Sequence, residues 1–273
     1  MTDKPLTPPQ VIQTARQANI DGIKNAFALY GKNVGCSVVF RGRVVLVNML
    51  VNDGESHWDE ESVNAYVEML KNVSTELMEE SCLNTETLQI AYAYCTVDIP
   101  YVAKRSNDAE CVSGVLRQFG YDSVQAYQKH YEEKFERDEA VITFAFNKSF
   151  RSYAQTITVR GGCSDTPIPE GDEYSMVSFD PSNPMNSQRT FKHELLHQFG
   201  AIDYYYPTNL QFKANKHFPD SVMDSGNIVD PLTRYIIGWD EELSDKAKDF
   251  LKDIENITAA DVDRARTAEW QST

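Results

Sequence analysis

The sequence predicts an α+β fold, close to α/β in character, built on a mixed sheet. Three observations carry this. Apolar, β-branched runs of strand length alternate with segments whose apolar residues recur every three or four positions. The 273 residues contain neither an internal repeat nor a linker-like stretch, and a chain of that size buries a core without staples. Aromatic residues make up 11% of the chain and Gly and Pro are not enriched, which excludes low-complexity disorder.

The elements follow in order. Residues 1–35 read as an N-terminal helical extension, opened by Thr7-Pro8-Pro9 and striped by Val11, Ala15, Ala18, Ile23 and Phe27. Residues 37–40 and 44–51 read as two strands around a turn at Gly42, with Asn48 interrupting the second. Over residues 59–80 the period changes, and Val63, Tyr66, Leu70, Val73 and Leu77 mark an amphipathic helix. Residues 88–97 and 140–146 are strands, and 109–137 hold one or two helices broken at Gly120. Further strands are expected at 156–159 and 174–179. Residues 231–239 pack with Ile236, Ile237 and Trp239 inward, and 240–270 read as charged helix.

Charge narrows the function classes. Against 26 Lys and Arg stand 41 Asp and Glu, a net charge of −15. That opposes binding to nucleic-acid phosphates and to anionic membrane surfaces. No segment approaches the roughly 18 apolar residues of a membrane span. The start lacks the basic and apolar regions of a secretory signal, so the expected location is cytoplasmic, or extracytoplasmic if the chain is a trimmed precursor. Cys36, Cys82, Cys95, Cys111 and Cys163 are odd in number and contain no C-x-x-C pair, as expected of reduced thiols.

The chemistry concentrates in residues 193–203, His-Glu-Leu-Leu-His-Gln-Phe-Gly-Ala-Ile-Asp. His193 and His197 stand four apart, on one face of a helix and about one turn from each other, so both imidazoles reach one ion. Glu194 lies beside the first ligand and is placed to act as general base. Asn183-Pro184 supplies a cap and a first helical position, while Phe191, Leu195 and Phe199 form an apolar ridge away from the histidines. Gly200 sits where the helix would end in a left-handed residue, turning the chain so that Asp203 returns toward the histidines. Three protein ligands, His193, His197 and Asp203, with one open position describe a catalytic zinc site. His217 is the rival third ligand. The bland alternative is an amphipathic helix with two surface histidines.

This segment resembles the metzincin zinc signature, in the variant with Asp in place of the third His that snapalysin-type neutral proteases carry. Ser221-Val222-Met223-Asp224 is similar to the Met-turn of that clan, which places Met223 beneath the zinc. The resemblance covers residues 174–239. It implies a mixed twisted sheet with a backing helix and a zinc-binding active-site helix, and a small lower lobe after Gly200. Residues 36–273 would form one domain, with an upper lobe over 36–200 and a lower lobe over 201–273. The resemblance also implies that strand 174–179 is the edge of the cleft, where Tyr174, Ser175, Met176 and Val177 would pair with extended substrate; a plain edge strand is the structural alternative.

Three departures from the clan stand out. The third ligand is a carboxylate. Ser225 occupies the place where some members carry a Tyr, leaving Tyr204, Tyr205 or Tyr206 to supply a phenol or line the cleft. Arg160-Gly161-Gly162-Cys163 only faintly resembles a cysteine switch and falls inside the catalytic region.

The reading is a one-zinc endopeptidase acting on a peptide or protein substrate, with Glu194 as base. A zinc amidase or deacylase acting on small molecules, or a non-catalytic zinc-binding protein, fits the same ligands. Neither a G-x-S-x-G elbow nor a phosphate-binding glycine loop is present. Asp203 and Glu194 in an acidic chain suggest a preference for neutral or basic peptides. Residues 1–35, the 100–137 region and the C-terminal helix are expected to be additions to the core.

Overall fold

The structure, a computed structural model, describes residues 40–81, 88–155, 173–205 and 211–258. The helix expected in 1–35, residues 37–39, the strand at 156–159, Tyr206, Cys36, Cys82, Cys163 and the chain beyond 258 lie outside the described residues.

Five strands form one sheet in the order β2-β1-β3-β5-β4. They are β1 (Arg43–Asn52), β2 (Gln89–Asp98), β3 (Glu139–Phe146), β4 (Tyr153–Gln155) and β5 (Tyr174–Ser178). β1 runs parallel to both β2 and β3, and β3 runs parallel to β5. β4 is antiparallel to β5. Of the expected strands at 37–40 and 44–51, the second is β1. Phe40 is not in a strand, and its N–H donates to Ile237 O at 2.8 Å.

The near-continuous apolar runs of β1 and β3 reflect burial on both faces. Alternate residues point to opposite sides. Val44, Leu46, Leu50, Val141, Ala145 and Val177 face one core, and Val45, Val47, Met49, Ile142, Phe144 and Met176 face the other. Each such side chain contributes about 1.5–3 kcal/mol when fully buried. Asn48 breaks the apolar run at no cost in unmet hydrogen bonds, because Tyr66 Oη donates to its Oδ1 at 2.9 Å and its Nδ2 donates to Leu46 O at 3.1 Å.

On the first face lies α1 (Glu60–Ser81), the backing helix, with Tyr66, Leu70, Val73 and Leu77 inward as their spacing predicts. The second face carries α2 (Asp108–Gln118) and α3 (Val124–Phe135). Gly120, at φ 81°, separates them. Part of region 100–137 thus packs on the sheet. Cys111, Val112, Val115, Leu116, Val124 and Tyr127 are the cover of that face, and without them β1 and β3 would expose a full apolar surface.

The helix α4 (Pro184–His197) packs on the first face beside α1. Beyond it come α5 (Gln211–His217), α6 (Pro231–Ile236) and α7 (Asp245–Glu255). Ala247, Phe250 and Ile254 put α7 into the same core as α1 and α4. Ile236, Ile237 and Trp239 are buried as expected. Phe40 stacks on Phe199 at 4.2 Å between ring centroids, which ties the chain entering β1 to the end of α4. No described helix is long and apolar enough to cross a membrane.

Candidate metal centre

Helix α4 starts where its sequence says it should. Asn183 Oδ1 accepts from Asn186 N, and Pro184 needs no hydrogen-bond partner in the first turn. Its end is equally determined. Gly200 sits at φ 89°, a left-handed conformation that costs glycine little. There Ala201 N donates to Leu196 O at 3.1 Å and Gly200 N to His197 O at 2.9 Å, closing a Schellman-type end. The chain reverses, and Asp203 returns to the face that carries His193 and His197.

His193 Nε2, His197 Nε2 and an Asp203 carboxylate oxygen converge. Asp203 Oδ1 lies 3.0 Å from His193 Nε2 and 3.2 Å from His197 Nε2, and the two Nε2 atoms are 3.0 Å apart. Among the described residues these three form a group able to hold a metal ion.

The other nitrogen of each ring decides what Nε2 does. His193 Nδ1 is 2.8 Å from Val222 O, and His197 Nδ1 is 2.8 Å from Ala201 O. A carbonyl only accepts, so each Nδ1 carries the proton. In the neutral rings both Nε2 lone pairs therefore point at each other and at a carboxylate. Such an arrangement calls for a cation in the middle, and backbone carbonyls orienting ligand imidazoles are the expected outer support. Without an ion a proton takes that part. Burial opposes the His197 imidazolium, but the hydrogen bond and charge of Asp203 outweigh it and lift His197 to about 9. Burial likewise opposes the Asp203 carboxylate, yet the two imidazoles hold it well below the usual range.

Val222 belongs to the turn at 221–224, where Asp224 N donates to Ser221 O at 3.1 Å. Met223 is fully buried, and its carbonyl accepts from Tyr204 N at 3.1 Å. The turn thus supplies a carbonyl to His193.

Glu194 faces a cavity of about 570 Å³ that His193, Tyr205 and Val222 also line. It is 4% exposed. Burial raises its carboxyl above the usual value, while the charges of His197 and His193 pull it down.

Adjacent tyrosines have separate fates. Tyr205 Oη is 3.2 Å from His193 Nε2, and the two rings stack with centroids 5.8 Å apart. Burial, reinforced by Asp203 and Glu194, pushes its phenol far above the ordinary value, so it remains a donor. Tyr204 is buried instead, its Oη donating to Asp230 Oδ1 at 3.0 Å. It supports the fold and does not line the cavity.

Two further expectations are corrected. β5 is not the sheet edge, because β3 and β4 flank it. Tyr174, Ser175, Met176 and Val177 are all buried. Ser175 has a different task, bridging strand and helix: its Oγ donates to Glu194 O at 3.1 Å and accepts from Gln198 Nε2 at 2.7 Å. Among the described residues the edge on this side is β4, whose three described residues are too few for periodicity to reveal. His217 is no rival ligand either, since its Nε2 lies 2.9 Å from Asp253 Oδ2, outside the cluster.

The sequence matches no family model and no curated protein. Among solved structures, metalloproteinase-II from Bacteroides fragilis is similar, with a TM-score of 0.39 and 14% identity over 85% of this chain and 60% of that one. The chain thus spans less than two thirds of that protein. The metal-site assignment rests on the side-chain geometry above.

Proposed function

We propose that the chain is a zinc-dependent endopeptidase, with His193, His197 and Asp203 as ligands and Glu194 as general base. The observation that carries the reading is the double tautomer lock, in which two backbone carbonyls leave both Nε2 lone pairs aimed at one point beside a carboxylate. Two imidazoles and one carboxylate suit zinc, and three protein ligands are the number a catalytic site uses. When bound, the ion supplies Lewis acidity and a water whose pKa is lowered to about 7.

The chain's own groups do the rest. Glu194, on the cavity wall beside His193, takes a proton from the attacking water and passes it to the leaving amine. Tyr205, kept protonated, donates to the oxygen that gains charge. An extended peptide pairs along β4, since β5 is enclosed.

The test combines casein and a peptide library with a panel of acetylated small molecules. Wild type is expected to cleave peptides, and Glu194→Gln to lose about 10²–10⁴-fold while keeping its metal. Full activity in Glu194→Gln overturns the mechanism, and turnover of the small molecules alone overturns the substrate class.

A further inference from the structure

We propose that Arg189 makes the cavity beside the metal ligands a subsite for a substrate carboxylate, either an acidic side chain or a free C-terminus. This rests on the peptidase reading and adds a substrate class to it. Arg189 lies on α4 four residues before His193, hence on the same face and about one turn away. It lines the cavity together with His193 and Glu194.

Its guanidinium is fixed without being neutralised. Nη1 donates to Ser225 O at 2.8 Å and Nη2 to Asn186 Oδ1 at 2.7 Å, both neutral acceptors. The remaining N–H groups are left to form a fork that matches a carboxylate. Neighbouring cations differ. Lys148, on the same cavity wall, is paired with Asp53 and with Glu55 at 3.8 Å. Lys192, three residues along α4, is buried against Glu80. Among the described residues Arg189 has no such ion pair.

The acidic groups of this cavity outside the metal cluster are Glu194, the proposed base, and Asp180 and Asp224. Asp180 Oδ1 accepts from Ser182 N and Oγ at 2.9 and 2.6 Å, and Asp224 Oδ2 accepts from Ser225 Oγ at 3.2 Å. Neither pairs with Arg189. A second cation, Arg151, enters the cavity from the β3–β4 connection. Because none of these carboxylates forms an ion pair with Arg189, the proposed subsite favours a carboxylate over the neutral or basic peptides expected from the net charge of −15.

The experiment measures fluorescence anisotropy of labelled hexapeptides on metal-free wild type. One amidated pair differs by a central Glu or Gln, and a second pair by a free or amidated C-terminus. The carboxylate member of one pair is expected to bind about tenfold more tightly than its neutral twin, and the pair that responds identifies the source. Arg189→Met abolishes the difference and leaves the neutral peptide's affinity and the zinc content unchanged. Arg189→Glu inverts it toward Lys-containing peptides. Equal binding within both pairs, or a preference that survives Arg189→Met, overturns the proposal. Cleavage by the zinc-loaded enzyme without acid preference overturns this inference alone, whereas no cleavage of any peptide overturns the peptidase reading as well.

Discussion

Two carboxylates lie within a short span of the same lobe and teach opposite lessons. Asp230 is 3% exposed and accepts from Tyr204 Oη, Leu232 N and Thr233 N on one oxygen, and from Ser221 Oγ and Thr233 Oγ1 on the other. Every contact is a donor, and the carboxylate is a structural rivet joining α6, the 221–224 turn and Tyr204. Asp203 faces two imidazole nitrogens whose Nδ1 protons are committed elsewhere, and the Tyr205 phenol hydrogen-bonds to it as well. Buried acceptors that meet acceptors are costly unless a cation or proton joins them. The first pattern holds the fold together, and the second is a group able to hold a metal ion.

Breaking each carboxylate separates the two roles. Asp230→Ala leaves several buried donors unmet at about 1–3 kcal/mol apiece, so an unfolding cost of about 3–5 kcal/mol is expected in denaturant titration, with zinc stoichiometry intact in the folded fraction. Asp203→Ala should weaken zinc binding by at least roughly 10–100-fold, while costing the metal-free protein less stability than Asp230→Ala. Equal stability losses in the two variants would erase the distinction.

The adjacent tyrosines sharpen the same contrast. Tyr205→Phe is expected to lower kcat by about tenfold or more with metal retained and melting unchanged, through loss of one donor. Tyr204→Phe is expected to lower stability by about 1 kcal/mol, through loss of one hydrogen bond to Asp230, with kcat unchanged.

A smaller effect comes from a third carboxylate, at the surface. The His217 hydrogen bond, helped by Lys216, lowers Asp253 from 3.8 to about 2. Its contribution is fully present above the unfolded value and fades as pH falls toward 2. Because the pair is partly exposed, Asp253→Asn should cost less than about 1 kcal/mol near neutral pH. It should also flatten the acid limb of a stability-against-pH curve.

Much of this contrast is legible from residue spacing. The four-residue step of His193 and His197, the break at Gly200 and the return at Asp203 follow from helix geometry, whereas Met223 is singled out only by the resemblance to the Met-turn. What spacing does not reveal are the carbonyls of Val222 and Ala201, because backbone acceptors have no side-chain signature. Nor does it divide Tyr204 from Tyr205, since neighbours after a helix end point apart only once the turn is formed. Strand β5 is readable as a strand, but its interior place depends on β4, whose three residues carry no period. Residues 109–137 read as one or two helices, yet their role as the second cover depends on β1 and β3 being buried on both faces.

The most direct measurement is the metal content of zinc-reconstituted, dialysed protein alongside its His197→Ala variant. The double tautomer lock predicts one zinc per chain in wild type and none in the variant. A folded wild-type protein that emerges from zinc-replete conditions without metal would contradict it.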